Sequence, residues 1–143
     1  MPGEGPLNAK VMFVGQNPGG DEDETGRPFV GRAGKFLTKA LVENGIKREE
    51  VFITNIVKHV SPQNRKPFDD EVAACLPYLI AQINVIKPKI IVLLGASAKD
   101  TPRLDGIEYI QVIHPSAAMR FTKMRDLFKK QVAELAERIK TIS

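Results

Sequence analysis

The sequence predicts an α/β fold, a three-layer αβα arrangement around a central four-stranded parallel sheet. Three observations lead there. Four short apolar runs rich in β-branched residues occupy residues 10–15, 51–57, 89–95 and 109–113. They mostly lack alternation between apolar and polar positions, as strands covered on both faces do. Helical periodicity fills the stretches between them, and strands alternating with helices build a parallel sheet through right-handed crossovers.

The first strand, VMFVG after Lys10, ends in Gly15-Gln16-Asn17-Pro18-Gly19-Gly20. Phe36, Leu37, Ala40 and Leu41 then mark a helix closed by Asn44-Gly45, since glycine readily takes the left-handed backbone that ends helices. VFITNIV is the second strand. Asp69 opens a helix with Val72, Leu76, Leu79, Ile80 and Ile83 along one side. It runs to Lys87-Pro88, and Pro77 is expected to kink it or mark an earlier break. IIVLLG and YIQVI are the third and fourth strands. Leu127, Phe128, Val132, Leu135 and Ile139 repeat at the spacing of an amphipathic helix.

No repeat, low-complexity tract or linker divides the chain, so residues 1–143 read as a single domain. That length is close to the commonest for one domain and suffices for a real core without staples. Hydrophobic residues make up 43% and charged residues 27%, as in ordinary globular proteins. No apolar run approaches the roughly 20 residues that cross a bilayer. The opening Met1-Pro2-Gly3-Glu4-Gly5-Pro6 carries an acid and no apolar segment, unlike a signal peptide. A cytoplasmic, intracellular location is the expectation.

Cys75 is the one cysteine. It excludes an intrachain disulfide and a cysteine-rich metal or iron–sulfur site made by these residues alone. Two histidines, His59 and His114, are too few for a typical zinc cluster. The net charge of +4 suits a polyanionic partner without specifying one. Its distribution is more informative: acids crowd into residues 21–24, whereas residues 120–130 hold five Lys/Arg and one Asp.

In a parallel sheet, ligands bind beyond the carboxyl ends of the strands. Those ends are residues 15–19, 55–59, 95–97 and 114–116, so most of the unusual polar residues converge on one rim. The first loop is neither GxGxxG nor a GK[ST] phosphate loop, and Pro18 removes an amide that a phosphate cradle would use. On spacing alone it reads as a phosphate site, a tight turn or a catalytic loop. Taken singly, Phe29 reads as a core residue, Asn55 as a strand-end cap and His114 as structural.

Several separated blocks change that reading. Gly15-Gln16-Asn17-Pro18-Gly19, followed by Gly26-Arg27-Pro28-Phe29-Val30-Gly31-Arg32-Ala33-Gly34, resembles the first motif of the uracil-DNA glycosylase superfamily. The resemblance continues through Ile53-Thr54-Asn55-Ile56-Val57-Lys58 and Asn64-Arg65-Lys66-Pro67. It extends through residues 73–79 and 87–96 and ends with His114-Pro115-Ser116 and Arg120. It runs from about residue 10 to residue 130 and is strongest to the thermostable bacterial and archaeal branch, family 4.

The resemblance implies a uracil-DNA glycosylase-like fold and hydrolysis of the N-glycosidic bond of uracil in DNA, with other deaminated or mismatched bases as further substrates. A base inside a duplex must be flipped into a pocket before its glycosidic bond is reached. The implied catalytic residues are Asn17, orienting a water, and His114, donating to uracil O2 as negative charge develops there. The implied uracil-binding residues are Gln16, Phe29 and Asn55. Phe29 would stack on the ring. The Asn55 amide offers one donor and one acceptor, matching O4 and N3–H of uracil and mismatching cytosine.

DNA contacts are expected from Ser61, Asn64, Arg65, Ser116, Met119 and Arg120, in loops rather than one recognition helix, with Met119 as a wedge entering the base stack. Lys123, Arg125, Lys129 and Lys130 read as phosphate contacts or a solvated helix face. No lysine occupies an evident Schiff-base position, so no strand-cleaving lyase step is expected, and a monomer is the expected state.

The sequence departs from the family it resembles in three places. Family 4 usually carries Glu and Ala at the positions of Gln16 and Asn17, the single-strand-active branch Gln-Asp, and the mismatch-specific branch Asn at the second. An amide can orient water but cannot take its proton. Family 4 also holds a four-iron cluster on four cysteines. Only Cys75 remains here and His59 stands near a lost ligand, so no cluster and no cofactor is expected. The segment from Gly95 to His114 is shorter than usual. The competing reading is a glycosylase-fold DNA-binding or damage-sensing protein with little activity; a nucleotide-binding α/β protein is a third.

Overall fold

The computed structural model describes residues 5–15, 32–55, 69–95 and 104–141. The order is β1 (Val11–Gly15), α1 (Arg32–Glu43), a 3₁₀ turn (Arg48–Glu50), β2 (Phe52–Asn55), α2 (Asp69–Ile86), β3 (Ile90–Leu94), β4 (Glu108–Val112), α3 (Pro115–Arg120) and α4 (Thr122–Thr141). The four strands form one sheet in the order β2-β1-β3-β4, and every pairing is parallel. This is the α/β sheet read from the sequence.

Burial on both faces explains why the strands do not alternate. Val11 and Phe13 of β1 and Ile90, Val92 and Leu94 of β3 enter a core with Leu37 and Leu41 of α1 and Phe128, Val132 and Leu135 of α4. Met12, Val14, Ile91 and Leu93 point the other way, into a core with Leu79, Ile83 and Ile86 of α2. Successive side chains leave a strand on opposite faces, so an all-apolar strand requires a helical layer on each side. Fully burying one such side chain is worth about 1.5–3 kcal/mol. Thr54 is the buried polar exception on β2, and its hydroxyl donates to Gln82 Oε1 on α2 at 2.9 Å.

The helix ends follow their local sequence. Ile46 N–H donates to the Leu41 carbonyl at 2.8 Å and Gly45 N–H to the Val42 carbonyl at 3.0 Å, while Gly45 has φ 77°. This double bond is the Schellman end of α1, and the Ile46–Leu41 apolar contact that accompanies it lies in the core. α2 passes through Pro77 as one helix of 18 residues, so of the kink or break expected there the break does not occur. Pro77 is on the exposed side, where water can serve the carbonyl its ring leaves without a donor.

A second correction concerns the segment after β4. The sequence reading ran it as a loop, but a helix begins at Pro115. Proline suits the first helical position, where its missing N–H is not needed. The His114 carbonyl accepts from Ala117 N–H at 3.0 Å and from Ala118 N–H at 3.3 Å. At the other end of β4, the Arg138 guanidinium of α4 bonds both carboxylate oxygens of Glu108, Nε lying 2.8 and 3.0 Å from them. That hydrogen bond, chiefly, holds the Glu108 carboxyl below its ordinary pKa.

Candidate active site

Because all strands run the same way, their carboxyl ends share one edge. Gly15 lies opposite Asn55 in the β1–β2 register, and Leu94 opposite Val112 in the β3–β4 register. The chain leaves β1 toward β2 and leaves β3 toward β4, so the two central strands diverge there. Such a divergence opens a crevice between β1 and β3, the usual ligand position in this class of sheet. Gln16 and Asn17 follow Gly15 directly in the sequence, and Asn55 is the last residue of β2. Gln16, Asn17, Phe29, Ser61, Asn64 and Arg65 lie outside the described residues. For Asn55 and Ser116 the described part is the backbone.

His114 is half-buried, two residues beyond β4. Gly95, one residue beyond β3, adopts φ 86°. A Cβ placed on Gly95 would stand 3.1 Å from His114 Cβ and 3.5 Å from Cδ2, so the glycine is what lets the histidine seat against this turn. The turn is itself tied down. Gly95 N–H donates to the Val112 carbonyl at 2.9 Å, and Gln111 Nε2 donates to the Gly95 carbonyl at 2.6 Å. Ile113 N–H donates to Gln131 Oε1 of α4 at 2.8 Å. Burial pushes the His114 imidazole below its usual pKa. The ring is therefore neutral near pH 7 and keeps one N–H donor.

Beyond His114, α3 carries Met119 half-buried and Arg120 exposed. Arg125 of α4 caps the end of α3, with Nε 3.3 Å from the Ala118 carbonyl and Nη2 3.1 Å from the Met119 carbonyl. Phe121 is 56% exposed at the elbow between the two helices. Lys123, Lys129 and Lys130 are also exposed. A groove of about 500 Å³ lined by Pro6, Lys10, Val11, Gly45 and Val51 lies at the opposite, amino-terminal edge of the sheet, away from this site. The described residues include no group of three or more His, Cys, Asp or Glu able to hold a metal ion. Sequence reasoning found His114 but not its supports. Gly95 could have been found as a glycine directly after an apolar strand, whereas Gln111, Gln131 and Arg125 carry no local signal.

The chain matches the uracil DNA glycosylase superfamily over residues 2–136. It belongs to that superfamily. Among its relatives, the Type-4 uracil-DNA glycosylase of Pyrobaculum aerophilum is 44% identical over 156 aligned positions, covering 93% of this chain and 80% of that protein. The enzyme of the same description from Archaeoglobus fulgidus is 35% identical, covering 96% of this chain and 80% of that protein. The one from Thermotoga maritima is 56% identical over 96 residues, covering 67% of this chain and half of that protein. An alignment of 156 positions exceeds the 143 residues present, so the Pyrobaculum relative has residues with no counterpart here. Within this superfamily member, the four-thiolate set of an iron–sulfur cluster does not fit: the 143 residues contain one cysteine.

Proposed function

We propose that the protein removes uracil from DNA by hydrolysing the N-glycosidic bond, as a monofunctional glycosylase of base-excision repair. The observation that carries the proposal is the seat of His114, a neutral donor at the carboxyl edge of the sheet within a chain similar almost end to end to Type-4 uracil-DNA glycosylases.

In this reading the flipped uracil lies in the crevice between β1 and β3, stacked on Phe29 and contacted by Gln16. Asn55 reads its O4 and N3–H edge. As the C1′–N1 bond breaks, its electron pair passes to the uracil ring and charge gathers on O2. The His114 N–H bonds O2 more strongly in the transition state than in the ground state, which is what lowers a barrier. Asn17 orients a water that forms the new bond to the oxocarbenium C1′. The proton leaves that water only after the bond has formed and passes through solvent to the uracil anion, since neither amide can accept it. The products are free uracil and an abasic site, and no strand is cut. Ser61, Asn64, Arg65, Ser116 and Arg120 contact the DNA, with Met119 as the wedge.

The reading uses no metal or cluster. It takes the protein to act as a cytoplasmic monomer; no helix among the described residues is long and apolar enough to cross a membrane. The amides Gln16 and Asn17, where a carboxylate could have activated the water, favour a second reading, a damage-binding protein with little turnover. One experiment separates the two. Single- and double-stranded DNA bearing uracil, hypoxanthine or mismatched thymine is incubated with the protein and then cleaved at abasic sites with alkali, with Phe29→Ala as control. Cleavage at uracil, lost in the control, supports the glycosylase. Tight, salt-sensitive binding without product selects the second reading.

A further inference from the structure

We propose that Gln131 is a positioning residue for His114. Among the described residues β4 is an edge strand, with β3 as its one strand neighbour. Val112 turns its carbonyl toward β3, where Gly95 N–H meets it at 2.9 Å. Backbone groups of successive strand residues point to opposite sides, so Ile113 turns its N–H away from β3, to a side where no described strand lies. Ile113 is half-buried and packs against the core under α4, so water is a poor substitute. The acceptor is Gln131 Oε1, 2.8 Å away, on α4 one turn after the core residue Phe128 and next to the core residue Val132.

This bond fixes the Val112–Ile113 peptide, one residue ahead of His114. On its other side the His114 carbonyl is held by the first N–H groups of α3. The histidine backbone is thus clamped between a side chain of α4 and the start of α3, and the imidazole inherits its direction from that clamp. A donor to O2 must stand within a few tenths of an ångström of the developing charge. Misplacement by about 1 Å can cost on the order of 100-fold in rate. Gln131 touches no substrate in this arrangement; it acts through Ile113 and His114.

The inference rests on the reading that His114 acts on the leaving base, and the test keeps the two apart. Gln131→Leu removes the acceptor while keeping an apolar side chain in its place, and Gln131→Glu retains an oxygen acceptor. Both are compared with the parent for kcat, for KM on uracil-containing DNA, for thermal midpoint and for the His114 Cε1–H resonance. The expected result is a kcat about tenfold lower in Gln131→Leu with KM within about twofold, rescue to within about threefold in Gln131→Glu, and a displaced His114 resonance in Gln131→Leu alone. A Gln131→Leu protein with unchanged kcat and resonance, or one whose thermal midpoint alone falls, overturns the proposal. So does a Gln131→Glu protein as slow as Gln131→Leu. If the parent excises no uracil, the proposed function fails instead. The resonance then still decides whether Gln131 sets the histidine. If Gln131→Leu does not fold, Gln131→Ala, read the same way, replaces it.

Discussion

Gly95 and His114 stand in contact across the carboxyl ends of β3 and β4, with 3.1 Å between the His114 Cβ and the position a Cβ on Gly95 would take. The glycine also holds φ 86°, a region in which an L side chain costs roughly 1–2 kcal/mol. Gly95→Ala is therefore expected to lower stability and also to push His114 off its seat. Gly106 is the natural comparison: it has φ 83° and nothing within 4 Å of its Cβ position. Gly106→Ala should lower the thermal midpoint while leaving uracil excision per folded molecule unchanged. Gly95→Ala should lower both. Equal activity in the two variants would show that the contact is irrelevant to chemistry.

Burial of His114 makes a prediction about pH. Its pKa in the fold lies below the free value of 6.5. Between the two values the unfolded chain binds more protons than the folded one, so stability falls as pH drops through that window and is unaffected by this group above it. Imidazole resonances followed by NMR should give a midpoint for His114 below 6.5. Excision should show no loss from His114 protonation between pH 8 and the free value. His114→Ala should cut kcat by roughly 100- to 1,000-fold, as loss of one oriented donor does, with DNA affinity little changed.

The amide at Asn17 can hold a water but cannot deprotonate it. Asn17→Ala is expected to slow turnover more than it weakens binding. Asn17→Asp places a carboxylate beside the same water and should speed excision in single-turnover assays. A slower Asn17→Asp enzyme would point to orientation of the water, rather than its activation, as what the position supplies.

Phe128 is fully buried, and its ring lies 5.4 Å from that of Phe36 at 41°. Phe128→Ala should cost about 3–5 kcal/mol in urea unfolding, a large share of the roughly 5–15 kcal/mol available to a domain. Since the residue lies between α1 and α4, excision at low temperature should survive in whatever fraction remains folded.

The strands were legible because burial on both faces leaves an unbroken apolar run, which VMFVG and IIVLL display. The end of α1 was legible from Asn44-Gly45 because the left-handed cap has a chemical signature. α3 was not: six residues are too few for a period to register, and Pro115 served equally well as a loop residue. Of the two outcomes expected at Pro77, the break does not occur, because the cost of proline depends on whether its orphaned carbonyl faces water, which a sequence does not state. His114 was legible through its motif. Gln131 was not, because its role depends on a contact with Ile113, 18 positions away in the chain.

The order β2-β1-β3-β4 has a consequence for how such a protein changes over time. Gln16, Asn17 and Asn55 belong to the β1–β2 half, and Gly95 and His114 to the β3–β4 half, with the β1–β3 ladder as the seam. Under the proposed mechanism, substitutions in the half that would hold the water need not disturb the packing around the histidine. If those roles hold, one lineage can rewrite its attack chemistry while inheriting its leaving-group chemistry intact, and a Gln-Asn pair beside a His-Pro-Ser is a combination such independent drift would leave behind.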